Sequence, residues 1–237
     1  MIVPAFDEVD RIGASVSRIL AFLDTRPYAS ELIVVLDGGR PGADAEVARA
    51  AGGRANVIVL DNGRNRGKGY SVRRGVLASH GRYVLFADAD LSLPIEDAER
   101  FLGRLERGAD LAIGSRVIAG ASERGEQQRL RQSLSRVFNL LVRTFAVPDI
   151  RDTQCGFKAF RGDLARALFA VQRIDGFGFD VEVLRIAQRR GARIEEVPVT
   201  CEYHPSSSVR KFRHGTTMLA DVVRIAWHDR RGRYDAR

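Results

Sequence analysis

Short runs of β-branched and aromatic residues alternate with segments of helical periodicity across the first half of the chain. Each run stops at an acidic or glycine-rich stretch. The runs at 2–5, 31–36, 56–60, 82–87 and 111–114 read as strands, and the segments 9–23, 43–51, 69–79 and 95–105 between them read as helices. Strand–helix alternation of this kind builds a parallel sheet with helices on both faces, so the predicted fold class is α/β with a mostly parallel central sheet. Ligands of such sheets gather beyond the carboxyl ends of the strands. Here those ends carry Phe6-Asp7-Glu8, Asp37-Gly38-Gly39, the stretch 61–69 and Asp88-Ala89-Asp90. Any one of them is ordinary turn chemistry, since Asp, Asn and Gly are common loop residues. Four in succession point to one shared polar site.

The second half changes character. Leu130, Leu134, Phe138, Leu141 and Phe145 form one stripe of a helical pattern over 127–147, with Arg129, Arg131, Arg136 and Arg143 interspersed. The pattern suits a surface helix packed on the core, and equally a basic amphipathic helix on an anionic membrane. Further helices are expected at 178–190 and 216–228, with a strand at 193–200. No internal repeat or low-complexity linker interrupts the chain, which reads as one domain over 1–237, with halves 1–116 and 117–237.

A net charge of +8 suits any phosphate-bearing partner and does not choose among them. No recognised nucleic-acid-binding motif accompanies the charge, so a nucleic-acid partner is not expected. The two cysteines, Cys155 and Cys201, show neither CxxC nor zinc spacing, which favours a reducing compartment without disulfides. Asp7 and Glu8 come too early for the apolar region of a signal peptide. No run approaches the roughly 18 apolar residues of a spanning helix. The expectation is a cytoplasmic protein, soluble or lying on the membrane without crossing it.

Asp88-Ala89-Asp90 is the sharpest motif. Two carboxylates one residue apart, just after the apolar run 83–86, can reach a divalent ion from a rigid base. Such hard oxygen donors suit Mg²⁺ or Mn²⁺, with diphosphate oxygens and water completing the shell. The segment 62–69 fails the P-loop pattern in spacing and has Gly69 where Ser or Thr is required. Gly67-Lys68-Gly69 opens a helix and has either an anion-binding or a loop-shaping role. Arg116, after the fifth strand, and the stretch 206–211 with Ser208 and Arg210 are candidate phosphate clamps. The latter also reads as a solvated loop. His80, His204, His214 and His228 show no ligand spacing.

Pro4-Ala5-Phe6-Asp7-Glu8, Asp37-Gly38, Asn65-Arg66-Gly67-Lys68-Gly69, Asp88-Ala89-Asp90 and Gly114-Ser115-Arg116 occur in the order found in family 2 glycosyltransferases, which the chain resembles over 2–227. Arg151-Asp152-Thr153-Gln154-Cys155-Gly156-Phe157-Lys158 and Phe179-Asp180-Val181-Glu182 resemble, more narrowly, the dolichyl-phosphate β-glucosyltransferases and their prokaryotic polyprenyl-phosphate relatives. The resemblance implies a GT-A fold, a UDP-sugar donor (UDP-glucose in this branch), Mg²⁺ or Mn²⁺, inversion at the anomeric carbon and a polyprenyl-phosphate acceptor. It places the protein peripherally on the cytoplasmic face of an anionic membrane.

By position, the resemblance assigns the nucleotide sugar to Pro4, Phe6, Glu8, Asp37, Lys68, Asp88 and Ala89, and the metal to Asp90 with Asp88. Arg116 and Arg131 would hold phosphate. Asp152, Asp180, Glu182, Ser208 and Arg210 would line the acceptor side, and Asp90, Arg116 and Asp152 form the implied catalytic set. The chain departs from the family pattern in having Asp7 for Asn, Leu36 before Asp37, Gly39 for Ser, and Ser92 where some mannosyl-transferring relatives have Gln. A GDP-mannose-dependent transferase and a non-catalytic nucleotide-sugar-binding homologue are the alternative readings.

Overall fold

The computed structural model describes residues 1–118, 120–124, 147–202 and 214–235. The five expected strands are present as β1 (Ile2–Ala5), β2 (Leu32–Leu36), β3 (Val57–Asp61), β4 (Tyr83–Ala87) and β5 (Leu111–Ser115). Between them lie α1 (Ile12–Asp24), α2 (Ala43–Ala51), α3 (Lys68–Ala78) and α4 (Ala98–Glu106), the last entered through a 3₁₀ turn at Ile95–Asp97. β2 begins one residue later than expected. Glu31 instead receives the His80 and Gly81 N–H groups on Oε1, at 2.7 and 3.0 Å, tying the start of β2 to the turn before β4.

The chain continues with β6 (Ser122–Arg124), β7 (Phe157–Arg161), α5 (Gly162–Val171), α6 (Phe179–Arg189), β8 (Ile194–Pro198), β9 (Thr200–Glu202) and α7 (His214–Arg230). Seven strands form the main sheet in the order β3-β2-β1-β4-β7-β5-β8, while β6 and β9 make a separate parallel pair. β7 runs antiparallel between β4 and β5 in an otherwise parallel sheet. No strand is expected at 157–161 from the sequence, where Lys158 sits in a short apolar run flanked by Gly156 and Gly162. The expected strand at 193–200 is divided: β8 ends at Pro198, and the Val199 N–H turns to the Ser115 carbonyl at 3.1 Å. The helix expected over 127–147, with Arg131, lies outside the described residues apart from Val147, which is buried and not helical. Ser208 and Arg210 also lie outside them.

Every residue of β2 is buried, as expected for a strand covered on both faces. Alternation then divides its side chains. Leu32, Val34 and Leu36 join the core under α1, α2 and α4, whereas Ile33 and Val35 join the core under α3, α5 and α6. The two cores clamp the sheet and hold the carboxyl ends of β1, β2 and β4 side by side.

Candidate active site

The loops after β1 and β2 meet through glycines. Asp7 sits in the left-handed region at φ 54° and Gly39 at φ 108°. A Cβ on Gly39 would lie 2.7 Å from the Asp7 backbone, and one on Gly38 would lie 2.9 Å from the Arg64 backbone. Glycine in place of the family's Ser at 39 is thus a steric requirement of this chain. The Arg40 N–H and Nε both donate to Asp7 Oδ1, at 3.1 and 2.9 Å. These hydrogen bonds hold the Asp7 carboxyl below its ordinary pKa. Glu8 pairs with Arg11 one turn on. The Phe6 ring beside them is 45% exposed, and Pro4 is half-buried in β1.

Asp37 is buried and accepts from Asn62 Nδ2 at 2.7 Å, the Arg66 N–H at 2.8 Å and the Gly67 N–H at 2.9 Å. Three of its roughly four lone-pair positions are therefore engaged by the 62–67 loop. Asp37, expected at the nucleoside, thus anchors the 62–67 loop. The following helix start is closed in the same way. Tyr70 donates its N–H to the Asp175 carbonyl at 3.1 Å. A Cβ on Gly67 or on Gly69 would come within 2.4 Å of the Asp175 or the Ile174 carbonyl oxygen. Of the two roles considered for Gly67-Lys68-Gly69, loop shaping is the one this packing supports, because the Gly67 and Tyr70 N–H groups are already engaged and neighbouring main chain leaves no room for a Cβ at 67 or 69.

Lys68, at the first position of α3, reaches across to β4. Its Nζ lies 2.7 Å from Asp88 Oδ1. Burial opposes the lysine charge, yet the carboxylates of Asp88, Asp180 and Asp90 outweigh it and raise the Lys68 pKa. Behind Lys68, Lys158 Nζ meets Asp180 Oδ1 at 2.6 Å and the Cys155 carbonyl at 2.7 Å, with both side chains almost wholly buried. Burial pushes the Asp180 carboxyl up, and Lys158 and Lys68 only partly pull it back. Cations and carboxylates thus alternate from Asp88 through Lys68 and Asp180 to Lys158.

Two backbone features aim the acidic pair. A Cβ on Gly156 would lie 2.0 Å from Asp88 Oδ2, so only glycine leaves room for that carboxylate. Leu91 is at φ 45°, uncommon for a bulky residue, with its N–H on the Asp88 carbonyl at 3.1 Å. This tight turn lets the Ser92 N–H cap Asp90 Oδ1 at 3.0 Å. Ala89, expected at the nucleotide sugar, is instead packed in the core, and its carbonyl accepts from the Ser15 hydroxyl at 2.6 Å. No group of three or more His, Cys, Asp or Glu able to hold a metal occurs among the described residues. Asp88 and Asp90 nevertheless fit a Mg²⁺ or Mn²⁺ ion as a donor set, since such ions bind through one or two carboxylates completed by substrate phosphates and water.

Two other expected acceptor-side carboxylates face inward. Asp152 is wholly buried, and both of its oxygens serve Arg116: Nε at 2.7 Å, Nη2 at 2.9 Å and the backbone N–H at 3.0 Å. Burial would raise the Asp152 pKa, but the guanidinium outweighs it and holds the carboxyl below its ordinary range. Asp152 therefore positions Arg116, and its own oxygens are withdrawn from the surface. Glu182 is also fully buried. It accepts from the Ile174 N–H at 2.7 Å, the Arg173 N–H at 3.0 Å and the Tyr234 hydroxyl at 2.8 Å, joining the 172–174 loop to the chain after α7. Its neighbour Asp180 remains in the charged row behind Asp88. Gly156 and Lys158 lie in the 151–158 motif, and the resemblance implies no role for either. A lysine inside an apolar run was the available signal.

Residues 1–169 match the family model described as Glycosyl transferase family 2. The dolichyl-phosphate beta-glucosyltransferase of Drosophila melanogaster is 38% identical over 241 residues, covering 95% of this chain and 73% of the relative. Its human namesake is 31% identical over 244 residues, covering 95% and 74%. Among solved structures, glucosyl-3-phosphoglycerate synthase from Mycobacterium tuberculosis in complex with Mn²⁺, UDP-glucose and glycerol 3-phosphate superposes with a TM-score of 0.69 at 17% identity, over 95% of this chain and 79% of that one. Mannosyl-3-phosphoglycerate synthase from Rubrobacter xylanophilus gives 0.69 at 18% identity, over 99% and 75%. At such identities these likenesses bear on the fold alone, and that fold is GT-A.

Proposed function

The chain belongs to glycosyltransferase family 2, and from that premise we propose that it transfers glucose from UDP-glucose to the phosphate of a polyprenyl lipid, inverting the anomeric carbon. The observation that carries this reading is the Asp88–Asp90 pair at the end of β4, with Lys68 on Asp88 at 2.7 Å. It concentrates carboxylates and a cation where the diphosphate of a nucleotide sugar would lie in such a sheet. The acceptor and the sugar follow from relatives at 30–38% identity whose names specify glucosyl transfer to dolichyl phosphate.

The acceptor sets the chemistry. A phosphate monoester has a second pKa near roughly 6, so its oxygen is already anionic at neutral pH and needs no general base. That oxygen attacks the anomeric carbon from the face opposite UDP, the glycosidic C–O bond breaks, and the electron pair leaves on the diphosphate. The exposed ring of Phe6, with Pro4 and Glu8 beside it, suits the nucleoside. Arg116, fixed by Asp152, orients phosphate as a preformed fork. Asp88 and Asp90 would hold a Mg²⁺ or Mn²⁺ ion, which supplies charge neutralisation to the departing diphosphate when bound. The three carboxylates expected on the acceptor side, where a general base would have to stand, are all engaged: Asp152 by Arg116, Asp180 by Lys158, and Glu182 by backbone N–H groups and Tyr234. This supports base-free transfer. No helix among the described residues is long and apolar enough to cross a membrane. Peripheral docking on the cytoplasmic face completes the reading.

The test is incubation of the purified protein with polyprenyl phosphate, Mg²⁺ and a panel of UDP- and GDP-sugars, read by mass spectrometry. Polyprenyl-phosphate glucose from UDP-glucose is expected, and its loss in Asp90→Ala with the fold intact. Mannosyl product from GDP-mannose in its place would overturn the sugar and nucleotide together. Base-free transfer is tested separately, by single-turnover rates across pH for the Asp180→Asn variant. A basic limb, unrelated to the phosphate's own ionisation, that vanishes with Asp180 would overturn that part.

A further inference from the structure

The outward face of α7 carries a second kind of chemistry. Val222 and Ile225 point inward and are buried, 4% and 0% exposed. Spaced around the other side are Ala220, Val223, Arg224 and Trp227, all exposed, with Val223 at 65% and Trp227 at 42%. Positions 220, 223, 224 and 227 follow the i, i+3, i+4, i+7 rule of one helical stripe. Beyond the helix, Arg231 and Arg233 lie over the Trp227 ring, with guanidinium carbons 4.3 and 4.6 Å from its centroid. Arg230 is exposed alongside them.

Two of the three acids of the same segment are turned away. Asp229 is held by Arg185 and Arg189, each at 2.6 Å, and its side chain is 12% exposed. Asp221 is buried against the Gly178 turn, with Arg224 Nη1 3.5 Å from its Oδ1. Asp235, past the helix, pairs with Arg189 at 3.0 Å while its side chain stays 62% exposed. Inward pairing of Asp221 and Asp229 leaves the stripe with a cationic rim around an aromatic and aliphatic centre. An exposed indole flanked by guanidinium groups matches the interface of an anionic bilayer, where the ring sits at the headgroup level and the cations meet lipid phosphates. The surface is also near the site. Asp221 packs on Gly178, which immediately precedes the helix carrying Asp180. Trp227 is six residues further along, about 9 Å at the helical rise.

We propose that this stripe of α7, centred on Val223 and Trp227 and rimmed by Arg224, Arg230, Arg231 and Arg233, is a docking surface for an anionic lipid bilayer. It deepens the lipid-acceptor reading and rests on that reading for its biological sense, while its test does not use the transfer reaction.

Trp227 is the only tryptophan of the chain, so intrinsic emission reports on this surface alone. With the full-length protein, phosphatidylcholine vesicles containing phosphatidylglycerol should shift the emission to the blue. Pure phosphatidylcholine should not, and raised salt should reverse the shift. Each arginine near an anionic surface is worth a factor of about five in partitioning, so the pair Arg231→Gln and Arg233→Gln should weaken it about 25-fold. Val223→Asp keeps the reporter and should abolish the shift with an unchanged melting temperature, since this side chain is largely solvated. Equal shifts with neutral and anionic vesicles, or no shift with either, would overturn the proposal. So would a response to an acidic protein or oligonucleotide where anionic vesicles give none. A blue shift without sugar transfer leaves docking standing and removes the transferase reading, whereas transfer without a blue shift does the reverse.

Discussion

Lys158 carries a charge into the middle of the sheet, and its removal has the largest effect that can be worked from the structure. Its Nζ is 2.6 Å from Asp180 Oδ1 and 2.7 Å from the Cys155 carbonyl, with 1% of the side chain exposed. Lys158→Met keeps the stem and deletes the ammonium, leaving the Asp180 carboxylate buried without its nearest counter-ion. Breaking a buried pair by removing one partner costs about 3–5 kcal/mol. At this chain length each kcal/mol moves the melting temperature by about 2–4 °C, so a drop of roughly 6–20 °C is expected. The pH dependence carries a sign. Burial already raises the Asp180 pKa while Lys158 and Lys68 oppose it, so loss of Lys158 raises it further. An acid with a raised folded-state pKa is stabilised by proton uptake, and the stability it then contributes is lost as pH rises. The deficit of Lys158→Met should therefore shrink between about pH 8 and pH 5. Urea melts at both pH values measure it. The double variant Lys158→Met, Asp180→Leu removes both charges and should recover most of the loss. A single variant within about 0.5 kcal/mol of the parent would refute the argument. So would a double variant no more stable than the single one.

Gly156→Ala places a methyl group 2.0 Å from Asp88 Oδ2, so it should displace that carboxylate from Lys68 and lower turnover with UDP-glucose. Unchanged steady-state rates would show that the position of Asp88 is not required. Gly69→Ala directs a methyl group at the Ile174 carbonyl and the Phe179 Cβ, 2.4 and 2.6 Å away. Main chain cannot swing aside, and a loss of about 1–3 kcal/mol is expected in denaturant melts. Asp152→Asn removes the charge that holds Arg116 and should cost about 2 kcal/mol at neutral pH. Because the folded-state pKa of Asp152 is depressed, its contribution is present above the ordinary carboxylate pKa and is lost as pH falls through the folded value. The gap between parent and variant should therefore close in acid, and a gap independent of pH would assign the loss to packing.

The first five strands and the acidic ends of β1, β2 and β4 were legible in the sequence for a local reason. A strand buried on both faces must be apolar throughout, and a carboxylate placed directly after it stands at the rim of the sheet whatever the rest of the chain does. Asp88 and Asp90 needed nothing more than that. β7 was not legible, because its place between β4 and β5 is a matter of pairing across long separations, and a lysine at its second position contradicts the composition of a core strand. The carboxylates of Asp152, Asp180 and Glu182 illustrate the same limit. All three are acidic residues in recognised motifs, yet Asp152 and Glu182 turn inward and Asp180 lies behind Asp88. Arg116 is 36 positions from Asp152, Lys158 is 22 from Asp180, and Tyr234 is 52 from Glu182. A buried charge persists only where another element supplies its counter-ion or hydrogen-bond donors. Residue type thus determined which groups this chain could bring to the end of its sheet. Tertiary packing alone decided which of them stay there and which are consumed in holding the sheet, the loops and the C-terminal helix together.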